Sequence, residues 1–275
     1  MTKYVLQCED SPQGIFSAVY SAWELKLGHA RTSIQACSVE SMPNLELFAE
    51  YIRIETVQEK AGKVMHTIRT RFSEEILEEL YLVACSNGED KADVVYHYIQ
   101  LLLSMGMQAR RHLSDSYMIR AMELSRAAGN ERHHYLGFLR FIETRQGILL
   151  GRFEPKNNVT ELVMPHFADR FPEERFVIWD TRRNVAGIHL HGKDYIMQFL
   201  TPAQAEQLGR YREKEEETEQ LWRVFVESIS VKARENQELQ RNNLPLRFRS
   251  YMPEFHTPTD TQQNTGGYYE TRQFL

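Results

Sequence analysis

At 275 residues with a net charge of −5, 42% hydrophobic and 11% aromatic, the chain is long and apolar enough to bury one large core or two intimate ones. That balance excludes wholesale disorder and a globally basic nucleic-acid coat protein, so any nucleic-acid contact has to come from a local basic face. Three cysteines, Cys8, Cys37 and Cys85, stand without CxxC spacing, which excludes a zinc knuckle or an iron–sulfur ligand set and fits reduced thiols.

The N-terminus carries no long apolar leader, and the longest apolar run, near Tyr98 to Met107, is too short for a bilayer. The expectation is a cytoplasmic protein without a membrane partner. Tyr4–Cys8 reads as a strand; Ser11-Pro12 then offers a cap and a first-turn proline for a helix carrying Ile15, Phe16, Val19, Tyr20 and Trp23, with Gly28 as its stop. Tyr51–Thr56 reads as a second strand. From about residue 57 to 136 the pattern is helical, with apolar stripes at Ala61/Val64/Met65/Ile68, Ile76/Leu77/Leu80/Tyr81, Val94/Val95/Tyr98/Ile99/Leu102 and Met118/Ile119/Met122. These are read as core faces.

From 137 to 200 the period shortens. Phe138–Glu143, Ile148–Glu154, Arg175–Asp180, Val185–Leu190 and Asp194–Leu200 predict an antiparallel sheet of about five strands, joined by turns at TRQG, TRRN and HGK. The longer Pro155–Glu174 connection departs from that pattern, as loops that carry function do. Thr201-Pro202-Ala203-Gln204 has the form of a capping box, and Leu221, Trp222, Phe225 and Ile229 mark a further stripe, giving a helical segment over about 201–255. The fold class is therefore α+β, a single domain over residues 1–255: strand–helix opening, central helical block, antiparallel sheet and C-terminal helices. Residues 256–275, rich in Thr, Gln, Asn and Gly, predict a flexible tail.

Three features could carry chemistry. Arg110, Arg111, Arg120, Arg126, Arg132, Arg140 and Arg145, with His112, His133 and His134, make a basic region whose guanidinium forks suit phosphate oxygens, unless the acids between them pair them off. Lys232, Arg234, Arg241, Arg247 and Arg249, with Phe248 and Tyr251, make a second, in which the aromatics either stack on bases or anchor the segment. The acidic run Glu213–Glu219 beside it reads as a solvated helix face. The third is Glu154-Pro155-Lys156-Asn157-Asn158 followed by His166, Asp169 and Arg170: amides for turns or base edges, a phosphate-binding arginine, and candidates for catalysis in His166, Asp169 and Glu154. His189 and His191 share a strand face but lack a third ligand, so neither a metal nor another cofactor is expected. P-loop, GxGxxG, GxSxG, HExxH, the deaminase HxE…PCxxC and the radical-SAM CxxxCxxC are all absent.

The segments YVLQCEDSPQGIFSAVYSAW, GNERHHYLGFLRF, EPKNNVTELVMPHFADRFPEERFVIWDTRR and LQRNNLPLRFRSYMPEF resemble a bacterial family of unknown function assigned to DNA metabolism, over roughly Tyr4 to Phe255. The resemblance implies a domain found fused to, or beside, a uracil-DNA-glycosylase-like domain and accompanied by a radical-SAM protein of DNA modification or repair. The length predicts the stand-alone form. No catalytic residue is carried over from the family. Taken with the basic regions, it implies a DNA-binding accessory factor, with nucleic acid and that radical-SAM protein as partners. An enzyme of base excision or hydrolysis, and a protein–protein adaptor without DNA contact, are the alternatives.

Overall fold

A computed structural model describes residues 3–37, 47–144, 146–210 and 237–255. The predicted stripe at Leu221–Ile229, the acidic run, the 256–275 tail, Arg145, Lys232 and Arg234 lie outside these residues. The fold is the mixed α+β arrangement expected. Contacts group the described residues into two compact units, one reaching to His133 and including Lys156–Val159, the other made of His134–Pro155 and the residues from Thr160 onward.

The first unit is built on three parallel strands, β1 (Lys3–Glu9), β2 (Thr32–Cys37) and β3 (Ala49–Arg53), in the order β2-β1-β3. Parallel neighbours need a crossover, and α1 (Pro12–Glu24) supplies the one from β1 to β2. Ser11 caps that helix by accepting the Gly14 N–H at 3.0 Å. Gly14 itself is required by space, because a Cβ there would lie 2.5 Å from the Glu9 carbonyl oxygen. β2 was not foreseen, and β3 begins before the Tyr51–Thr56 segment expected. The helical block follows as α2 (Gln58–Arg71), α3 (Glu74–Cys85), α4 (Lys91–Met105) and α5 (Ser116–Phe138). Ser17 ties α1 to the start of α2 by both accepting from and donating to the Val57 backbone at 3.0 Å. Leu6, Ile15, Phe16, Ile76, Leu80, Tyr96, Tyr98, Leu102 and Met118 form the buried core, as the stripes predict for most of them.

The second unit holds a five-stranded sheet in chain order, β4 (Phe141–Glu143), β5 (Leu149–Phe153), β6 (Phe176–Asp180), β7 (Val185–His189) and β8 (Ile196–Phe199). Five strands were expected and five form, but the sheet is mixed: β5 and β6 run parallel while the other pairings are antiparallel. The reason is that the Pro155–Glu174 connection contains a helix, α6 (Thr160–Arg170), which returns the chain to the starting end of the sheet. Phe167 of α6 meets Phe141 edge-on at 5.1 Å, and Met164 packs over Gly187, where an added Cβ would force the Met164 thioether to move. The predicted capping box is present: Thr201 accepts from Gln204 N and opens α7 (Pro202–Gly209). α8 (Gln237–Asn243) and single turns at Leu246–Tyr251 and Pro253–Phe255 complete the described chain. Among the described residues no helix is long and apolar enough to cross a membrane.

Candidate functional site

The residues singled out in the sequence fall into three groups. Several arginines are committed to ion pairs: Arg132 to Glu78 at 2.9 Å, Arg140 to Glu254 at 2.8 Å, Arg120 to Asp90 at 2.8 Å, and Arg110 to Glu79 at 3.2 Å. Arg249 gives its guanidinium to the Leu244 carbonyl and lies over Phe255, while Arg247 lies over Phe248, itself buried against Tyr135 and Phe138. Phe248 is therefore an anchor and not a free stacking platform. Arg241 on α8 and Arg170 on α6 are exposed.

The catalytic candidates do not assemble. His166 and Asp169 both sit exposed on α6 and Glu154 is exposed beyond β5, with no hydrogen bond among them in the described residues. His189 and His191 are engaged through Nδ1 with the Glu174 and Glu173 carbonyls, and no three His, Cys, Asp or Glu converge as a ligand set among the described residues. At the end of β6 the wholly buried Asp180 accepts from the Arg182 and Arg183 backbone and pairs with the Arg183 side chain at 3.0 Å. Burial pushes its carboxyl above the usual range against the pull of Arg183.

What the structure does bring together is one side of α5. Arg126, Asn130 and His133 recur at four- and three-residue spacing and are exposed. Beside them Glu131 is 1% exposed, and its carboxylate accepts the backbone N–H of Lys156 at 3.1 Å, that of Asn157 at 2.7 Å and the Asn157 amide at 2.7 Å. The Asn157 oxygen accepts from Asn87 N at 3.0 Å, so this amide is spent inside the protein and offers no base edge. The clasp leaves the Lys156 side chain exposed next to α5. Arg126 has no partner among the described residues.

A second site escaped the sequence reading. Within the first unit a cleft of about 450 Å³ opens between the end of α1, the turn at His29, α4 and the start of α5. His97 stacks on Tyr117 at 3.9 Å, and Trp23 lies 5.1 Å from His29 and edge-on to Tyr96 at 5.4 Å. Asp93 organises the wall: it accepts the Ile34 N–H at 3.1 Å and the Tyr117 hydroxyl at 3.2 Å, and its other contact is His97 Nε2 at 3.6 Å. The Tyr96 hydroxyl is 2.7 Å from His29 Nδ1. Burial, then the Asp93 charge, pushes both Tyr96 and Tyr117 up to about 12. Asp115 caps α5 through one oxygen, accepting from Tyr117 N and Met118 N at 2.9 and 3.1 Å. The Gln100 amide nitrogen, also lining the cleft, is buried without a partner among the described residues. The signal was present in α4, where Asp93, His97, Gln100 and Ser104 form a polar stripe at helical spacing in a mostly apolar helix.

A mixed α+β chain with an exposed basic helix and a separate aromatic cleft is thus the class that fold and sites define. Residues 89–254 match the family described as a domain of unknown function, DUF4130, and the chain belongs to that family. No curated protein matches the chain. Among solved structures, a DHH domain described as belonging to a family of ribosomal proteins is similar at 8% identity over 68% of this chain and 73% of that one. Its TM-score of 0.27 is too low to carry an argument.

Proposed function

We propose that this protein works in DNA metabolism as a DNA-binding accessory factor, holding the nucleic-acid backbone along α5 for a radical-SAM or glycosylase-type partner. The observation that carries the reading is the exposed α5 face, where Arg126 points outward without an acid and the buried Glu131 clasp fixes Lys156 alongside it. The resemblance to a family of DNA metabolism supplies the context. The ion pairs of Arg120, Arg132 and Arg140 remove those side chains from the count, so the contact is small and its salt dependence is modest, in proportion to the few phosphates it neutralises.

The test is binding of the purified protein to single-stranded and duplex DNA across a salt series, with product analysis on the same samples. Each phosphate contact contributes about 0.7 to the slope of log K against log salt on a single strand. Arg126→Ala and Lys156→Ala should each flatten it by about that amount, while Arg140→Ala should not. A slope unchanged in both Arg126→Ala and Lys156→Ala refutes the assignment of the backbone contact. A cleaved or base-modified product abolished by His166→Ala or Asp169→Ala would make the protein an enzyme.

A further inference from the structure

The cleft of the first unit has the chemistry of a small-molecule pocket, and its volume falls in the usual range of roughly 300–1,000 Å³. Its walls are aromatic: His97 of α4 stacked on Tyr117 of α5, and Trp23 of α1 beside His29 in the turn that follows it. Flat aromatic walls select a flat guest, because stacking is sequence-tolerant and rewards any π-face. Two polar groups then set which flat guest. The Gln100 amide nitrogen is a buried donor that no described protein atom satisfies, a deficit that an arriving ligand oxygen would make good. Asp115 spends one carboxylate oxygen on the α5 cap, and the other accepts nothing from the described residues.

A donor and an acceptor beside stacked rings complement a lactam edge, a carbonyl next to a ring N–H. A cationic guest, which aromatic walls and acids can also hold, gains nothing from the Gln100 N–H. We propose that the cleft binds a lactam-bearing nucleobase, with its ring against His97 and Tyr117, its carbonyl accepting from Gln100 and its N–H donating to Asp115. The choice of heterocycle rests on the nucleic-acid reading above; the geometry rests on the cleft alone. Asp93 is a positioning residue, since its bonds to Ile34 N and the Tyr117 hydroxyl hold the stacking ring in place.

The experiment uses guanosine and adenosine, equal in stacking surface and opposite in edge, titrated into the full chain by calorimetry. Guanosine should bind at least about tenfold more tightly. Gln100→Leu should erase that preference while melting no lower than the parent protein, because it removes an unsatisfied buried donor. Tyr117→Leu should weaken both nucleosides together. Equal affinities, a preference that survives Gln100→Leu, or no nucleoside binding at all would each overturn the assignment. Arg126→Ala separates the two readings: it should weaken DNA binding and leave guanosine binding unchanged. Guanosine binding by a protein that ignores DNA would sink the accessory role and keep the pocket.

Discussion

Glu131→Ala is the most informative perturbation of the first unit. The carboxylate is 1% exposed and receives three donors, two of them from Asn157, which is itself 4% exposed. Lys156 is exposed, so water can replace its lost bond; the two Asn157 donors have no such recourse. A buried donor left unmade costs about 1–3 kcal/mol, more when its acceptor was charged, so with the small cavity the loss comes to about 3–5 kcal/mol. That is a large fraction of the roughly 5–15 kcal/mol that holds a domain together. Glu131→Gln keeps the volume and one acceptor oxygen and should lose about 1–3 kcal/mol. Urea unfolding followed by circular dichroism measures both, and a double-mutant cycle with Asn157→Ala should show strong coupling. A loss below about 1 kcal/mol for Glu131→Ala would refute the view that this clasp is a buried, mutually satisfied network.

Three further outcomes follow from the geometry. Gly187→Ala would drive a methyl group into the Met164 thioether and should destabilise the second unit by about 1–3 kcal/mol, partly relieved by Met164→Ala; thermal melts of the single and double variants decide it. In an alkaline titration read by tyrosinate absorbance, Tyr96 and Tyr117 should ionise near 12, well after exposed tyrosines. Because their folded pKa is raised, the stability they contribute is intact below about 10 and is lost as pH climbs from there through 12, which alkaline melts should show. Burial pushes the Cys8 thiol up to about 12, so a thiol reagent at mild pH should label the half-exposed Cys37 well before Cys8, and equal rates would contradict the packing of β1.

The strands of the second unit were legible because alternation and turn residues are local signals: Asp180 begins a tight turn that any reading of TRRN anticipates. The helix α6 was not, since Pro165 interrupts Val163, Met164 and Phe167 just where their spacing turns helical. β2 hid for the opposite reason, because TSIQAC is short and half polar and takes its identity from pairing with β1. Asn157 looked available for recognition, and its type fits that role; the buried carboxylate that claims it lies 26 residues earlier on α5. The cleft was illegible because Trp23, His29, His97 and Tyr117 converge from distant stretches, and each alone reads as ordinary helix or turn.

The membership of Lys156–Val159 in the first unit has a bearing on synthesis. A fragment ending at His133 keeps Glu131 but lacks the donors that neutralise its burial, so it should be a poor folder despite holding nearly all of that unit's helices. On the ribosome the same shortage is temporary: the first core can collapse early, yet it cannot lock until Asn157 has emerged, by which time β4 and β5 have already been made. The first unit therefore locks only after part of the second has been made, while β6, β7 and β8 are still to come.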